Sequence, residues 1–223
     1  LNDVTLNSVS NDGNKPVITA NGQNYTFDAV LYATGRKPYT ANIGLENTDI
    51  TTNERGAIVV NDTCESSVPG VYAVGDVNGG PQFTYISLDD FRIVFGALTG
   101  NGQYTLKDRK NIPYTTFLTP PLARIGLTEE DAINKGYTVK TKEMLVATMP
   151  RAHVNDYLKG AFKIVVNADN DLILGATLYS QGAEELINLI KMAMDNNIPY
   201  TYFKNQIFTH PTMAENLNDL CNF

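Results

Sequence analysis

The chain has 223 residues, with 17 basic and 24 acidic side chains, a formal charge of −7 and 43% hydrophobic residues. That much apolar material argues for a folded core and against intrinsic disorder. The acidic balance argues against a nucleic-acid footprint, and no apolar run approaches the about 18 residues of a membrane span. The two cysteines, Cys64 and Cys221, cannot form a disulfide framework of the secreted kind, which favours a reducing compartment.

The chain opens without Met or a signal-peptide pattern, and Leu1 to Leu6 already reads as strand, as though from the middle of a longer protein. The first thirty-five residues read as β throughout. Val4 to Val9 alternates weakly, Asn11-Asp12-Gly13-Asn14 is a turn cluster, Val17 to Ala20 is a strand, and Asn21-Gly22 is a hairpin signal. Tyr25 to Ala33 predicts a strand buried on both faces, because its end is nearly continuous in apolar character. Residues 39–83 are rich in loops, with short strands expected at 56–61 and 71–74. Helical periodicity runs from Thr84 to about Leu98 and stops at Gly100-Asn101-Gly102.

The polar stretch 108–111 predicts a domain boundary. After it, Thr128 to Asp131 reads as a capping box for a short helix that Gly136 ends. Residues 137–146 read as strand, and 161–166 with 173–179 read as an antiparallel hairpin. The stretch 182–196 is the clearest helix, with Leu186, Leu189, Ile190, Ala193 and Met194 on one face. A last helix is expected over 212–220.

Several residues suggest chemistry, each beside a plainer reading. Gly75-Asp76 follows a short apolar run, where an ionised Asp could accept from two hydroxyls of a polyol or simply cap a turn. Thr84 opens a helix whose positive end would suit a carbonyl or developing anion, or it is only an N-cap. Ala33-Thr34-Gly35-Arg36 is small enough for close approach of a ligand or backbone, or is a plain turn. His210-Pro211 restricts the backbone, and Glu215 could return to the imidazole and fix its tautomer, which is general acid–base equipment. His153 reads as lying in a polar loop with no carboxylate at a fixed spacing. Two His and two Cys share no metal-ligand spacing, so no metal site is expected.

Four segments in this order resemble the C-terminal half of the flavin-dependent pyridine nucleotide–disulfide oxidoreductases, and together they outweigh the plainer readings. They are Tyr32-Ala33-Thr34-Gly35-Arg36-Lys37-Pro38, Gly70-Val71-Tyr72-Ala73-Val74-Gly75-Asp76, Pro120 to Glu129, and His210-Pro211-Thr212-Met213-Ala214-Glu215. The resemblance implies an α/β start followed by an α+β domain with an antiparallel sheet and flanking helices. It implies that residues 1–35 end an NAD(P)-binding domain, 36–108 form the last segment of an FAD domain, and 109–223 form a dimerisation domain. It assigns cofactor contacts to Gly35, Gly75, Asp76, Gln82, Phe83 and Thr84, with Asp76 at the FAD ribityl or pyrophosphate and Thr84 at the flavin pyrimidine edge. It makes His210 the acid–base for active-site thiols, with Glu215 orienting it, in an obligate homodimer where His210 reaches the partner's site. The implied parent is a cytoplasmic enzyme passing electrons from NAD(P)H through FAD and a cysteine pair to an oxidised small molecule or disulfide.

The family's Gly-x-Gly-x-x-Gly motif, its redox-active cysteine pair and its nicotinamide-binding Gly-rich loop are absent from this sequence. The chain is therefore expected to bind FAD poorly by itself. A free-standing dimerisation or interaction module without chemistry stays open at this point. The runs 83–93 and 215–220 are similar to the bacterial branch linked to reactive-chlorine resistance and hypothiocyanite reduction. The electron acceptor and the choice between NADH and NADPH are not legible.

Overall fold

A computed structural model describes residues 2–223; Leu1, part of the expected first strand, lies outside them. The chain divides into two compact units, one ending at Gln103 and the other running from Tyr104 to Phe223.

The first unit begins with an antiparallel three-stranded meander, β1 (Leu6–Asp12), β2 (Lys15–Ala20) and β3 (Gln23–Thr26). Its tight turns need left-handed backbone, which Gly13 (φ 64°), Asn21 (φ 50°) and Gly22 (φ 75°) supply. Register follows from those turns, with Asp12 opposite Lys15 and Ala20 opposite Gln23. The expected long buried strand is corrected: β3 ends at Thr26, and Leu31 and Tyr32 are 89% and 80% exposed. A strand buried on both faces needs strand neighbours and covering layers. Phe27 N still donates to the Pro16 carbonyl at 3.0 Å, but past it no strand among the described residues pairs with 28–33, so β propensity there has no partner. The expected strands at 56–61 and 71–74 reduce to single bridges, Thr52 with Ile58 and Glu65 with Tyr72, in turns closed by bonds such as Val59 N to the Thr51 carbonyl and Ala73 N to the Cys64 carbonyl.

Helix α1 (Thr84–Thr99) forms as the periodicity predicts. Its N-cap is Phe83, so Thr84 is the first helical residue and not the cap. Gly100 (φ 72°) ends it, and the chain folds back so closely that a Cβ on Gly102 would lie 2.6 Å from the Gly96 carbonyl carbon.

The second unit is a five-stranded antiparallel sheet flanked by helices, as the resemblance implied. Its strands are β4 (Tyr114–Thr116), β5 (Leu122–Gly126), β6 (Val139–Leu145), β7 (Ala161–Asn167) and β8 (Ile173–Tyr179), in spatial order β4-β5-β8-β7-β6. The central pair β7–β8 is the predicted hairpin. Helix α2 (Glu129–Asn134) starts from the predicted capping box, with Asp131 N donating to Thr128 Oγ1 at 3.0 Å and Thr128 N donating to Asp131 Oδ2 at 3.2 Å. Gly136 (φ 84°) follows it.

Helix α4 (Ala183–Asp195) packs on β5 and β8. Phe162, Ile164 and Leu178 from the sheet are fully buried, as is Ile190 from α4. Leu189 is 37% exposed, and Ile187 takes the buried place instead, so the expected stripe is shifted around the helix. Helices α3 (Pro150–Val154) and α5 (Tyr200–Asn205) are too short for periodicity to have exposed them. His153 therefore sits on α3 and not in a loop, with Nε2 2.8 Å from the Ala147 carbonyl oxygen. The last helix, α6 (Asn216–Leu220), begins four residues later than expected. The intervening residues 212–215 form a side-chain-bonded turn, because Thr212 Oγ1 donates to the Thr209 carbonyl at 2.8 Å and accepts from Glu215 N at 3.2 Å. Leu217 and Leu220 anchor α6 against the core.

Candidate active site

The predicted residues fall into two constellations, one in each unit. In the first, residues 71–74 lead into a 3-10 turn at Gly75–Asn78. Gly75 is required there twice over: its φ is 72°, and a Cβ would lie 2.6 Å from Ser87 Oγ. The turn is fastened by Asp90 of α1, which is fully buried. Asp90 Oδ2 accepts from Gly75 N at 2.7 Å and from Asn78 Nδ2 at 2.8 Å. Asn78 Oδ1 accepts in turn from Gly80 N at 3.0 Å. These bonds present the Asp76 side chain at 46% exposure, with Arg36 Nη1 3.8 Å from its Oδ2.

Arg36 Nη2 also reaches the Gln82 carbonyl at 3.4 Å, so the turn carrying Gly35 lies beside both Asp76 and Gln82. A cleft of about 550 Å³ opens there, lined by Arg36, Asn53, Arg55, Gly79 to Gln82 and Phe83. Phe83 stacks on Tyr85 with ring centroids 5.1 Å apart. The N-cap Phe83 offers no side-chain acceptor, and the positive end of the α1 dipole lies at Thr84. Asp76, Gln82 and Phe83 are thus brought together with the Gly35 turn and the start of α1. Asp90 was missed. Its signal was a carboxylate in the stripe Ile86, Asp90, Ile93, where a solvent-facing charge does not belong.

In the second constellation, His210 Nδ1 lies 2.7 Å from Glu215 Oε2. Glu215 Oε1 accepts from Thr212 N at 3.1 Å. The His210–Pro211 peptide is cis. The Glu215 side chain is 18% exposed and the imidazole 68%. The hydrogen bond from His210, reinforced by the Thr212 amide, holds the Glu215 carboxyl below its ordinary value, so it is ionised near neutrality. An ionised carboxylate only accepts, which puts the proton of a neutral ring on Nδ1 and leaves Nε2 as the basic nitrogen.

Neither cysteine is in a disulfide, and both are fully buried. Burial pushes the Cys221 thiol up to about 12, against a smaller opposing effect of the nearby Lys142. Among the described residues, no group of three or more His, Cys, Asp or Glu could hold a metal. No helix of the described residues is long and apolar enough to cross a membrane.

The pyridine nucleotide-disulphide oxidoreductase family model matches residues 2–90, and that family's dimerisation-domain model matches residues 112–221. The chain belongs to the pyridine nucleotide-disulphide oxidoreductases. The probable pyridine nucleotide-disulfide oxidoreductase RclA of Escherichia coli is 44% identical over 98% of this chain and 50% of its own length. A mercuric reductase of Staphylococcus aureus is 35% identical over 96% of this chain and 40% of its own length. The structure of the HOCl-induced flavoprotein disulfide reductase RclA from Escherichia coli superimposes with a TM-score of 0.92 at 43% identity, over 98% of this chain and 50% of that one. The chain spans about half the length of the relatives it matches. Its second unit contains the oxidoreductase dimerisation domain, and the branch linked to reactive chlorine is represented among these relatives.

Proposed function

We propose that this chain supplies the flavin-facing and acid–base parts of an FAD-dependent NAD(P)H:disulfide-type oxidoreductase that works as a homodimer. The observation that carries the reading is the 2.7 Å bond between His210 Nδ1 and Glu215 Oε2 on an exposed ring. The domain reading remains 1–35 from an NAD(P) domain, 36–108 from the FAD domain and 109–223 for dimerisation.

The residues of the first constellation fit FAD. Gly75 and Gly79 both have positive φ and let Ser87 and Ala57 close against the turn, and Asp76 offers an acceptor to ribityl or ribose hydroxyls beside the Arg36 cation. Held by these residues, a flavin would supply the hydride-accepting and electron-passing chemistry that links NAD(P)H to a cysteine pair absent from this chain. Gly35, Gln82 and Phe83 would shape the cofactor edge, and the first turn of α1 at Thr84 would favour negative charge there. His210 Nε2 would take the proton of the attacking thiol and return it to the thiol that leaves, while Glu215 holds Nδ1–H and stabilises the imidazolium. The oxidised acceptor is a small disulfide or a reactive-chlorine-derived species such as hypothiocyanite. A reducing, cytoplasmic setting accords with neither cysteine being in a disulfide.

The test is His210→Gln in the FAD-loaded enzyme that contains these residues, assayed by NAD(P)H oxidation with a disulfide and with hypothiocyanite. Loss of a general base typically costs on the order of 10²–10⁴-fold. Unchanged turnover with both acceptors would remove the assigned role.

A further inference from the structure

The segment that carries His210 touches the core through Phe208, but Ile207 is 93% exposed and the imidazole itself is mostly in solvent. Its polar ties come from α6. Asn218, on α6, directs one amide group at the end of α5, with Nδ2 2.7 Å from the Phe203 carbonyl oxygen, 2.9 Å from that of Gln206 and 3.3 Å from that of Lys204. Two protons serve three acceptors, so the longest contact is the shared one. These carbonyls belong to the last turn and C-cap of α5, where an α-helix lacks i+4 donors, and that of Phe203 also accepts from Gln206 N at 3.3 Å. The bond to Gln206 also fixes where the chain leaves α5 on its way to His210.

The far end of the same segment hangs on α6 as well. Asn216, which is buried, donates from Nδ2 to the carbonyls of Thr212 at 3.2 Å and Met213 at 3.1 Å. Glu215 is the N-cap of α6. At its other end α6 is pinned to the sheet, because Lys142 of β6 donates from Nζ to the carbonyls of Asp219 at 2.7 Å and Asn222. One short helix therefore carries the carboxylate, holds the chain before the histidine through Asn218, and holds the chain after it through Asn216.

We infer that Asn218 is a positioning residue for the His210–Glu215 pair: by gathering the carbonyls of Phe203, Lys204 and Gln206 it ties the imidazole's backbone to the helix that bears its carboxylate. The inference rests on the acid–base reading for its functional meaning, yet the geometry it concerns is measurable without turnover. Its nearest alternative is that Asn218 merely caps α5, with the loop held by Glu215, Asn216 and the core contact of Phe208.

The experiment is Asn218→Ala in the 223-residue chain, read by nitrogen-15 shifts of the His210 ring and by the carboxyl carbon-13 titration of Glu215. In the parent chain Nδ1–H is the expected tautomer, and Glu215 titrates below its ordinary value. In the variant the ring shifts move to a tautomer mixture and the Glu215 midpoint rises toward the ordinary value. A folded variant with both signatures unchanged overturns the inference and leaves the acid–base role, tested separately by His210→Gln, intact. If Asn218→Ala does not fold, Asn218→Ser, which keeps one donor, decides by the same measurements. An intermediate change supports the inference, and parent-like values overturn it.

Discussion

Asp90 offers a direct test of how the cofactor-facing turn is held. Replacing it with Ala removes the acceptor for Gly75 N at 2.7 Å and for Asn78 Nδ2 at 2.8 Å, in a position with no solvent to substitute. A hydrogen bond to a charged group contributes about 1.5–3 kcal/mol, and a donor left buried carries a penalty of similar size. Local opening of the turn should therefore become easier by about 3 kcal/mol, close to two decades in the opening equilibrium at about 1.4 kcal/mol per decade. The assay is native-state hydrogen exchange of the Gly75 amide, which reports that opening. The expected result is a fall of about 100-fold in Gly75 protection, with the amides of α4 in the second unit unchanged. Asp90→Asn, which keeps one acceptor oxygen in the same place, should lose about tenfold. Gly75 protection within threefold of the parent in a folded Asp90→Ala chain would refute the assignment of Asp90 as the clasp of this turn.

Two further outcomes follow from ionisation. The Glu215 carboxyl is held below its ordinary 4.5 by the His210 hydrogen bond, so its stabilisation is fully present above 4.5 and is lost as pH falls through the lower folded value. Urea midpoints between pH 6 and pH 3 should fall less steeply for Glu215→Gln than for the parent; identical slopes would mean that the pair adds nothing to stability. The Cys221 thiol is raised to about 12 from 9.0 by burial, which lowers its thiolate fraction about a thousandfold at pH 8. Alkylation followed by peptide mass spectrometry should find Cys221 labelled at least that much more slowly in the native chain than in urea, and comparable rates would contradict its burial.

The periodic elements were legible in the sequence because their cause is local. Helices α1 and α4 and the hairpin β7–β8 follow from spacing and from the polar turn Asp169-Asn170-Asp171 between long apolar runs. The His210–Glu215 pairing was legible for a similar reason: five residues and one proline keep the two side chains within reach. The failures share a cause as well. The run 27–33 has strand propensity, yet a strand exists only through its neighbours, and past Phe27 no strand of the described residues supplies them. Helix α5 has six residues, less than two turns, and its place is set by Tyr200 and Phe203 entering the core and by Asn218 across the chain.

The sequence by itself determined the family, through four motifs in one order, and with it the candidate chemistry at Asp76, Thr84, His210 and Glu215. Only the tertiary structure decided what holds those residues. Asp90 meets Gly75 across fifteen positions, and Lys142 meets the end of α6 across seventy-seven. The physical reason is that a buried acceptor or a capped carbonyl is specified by what surrounds it after folding. No spacing along the chain records which distant donor will arrive.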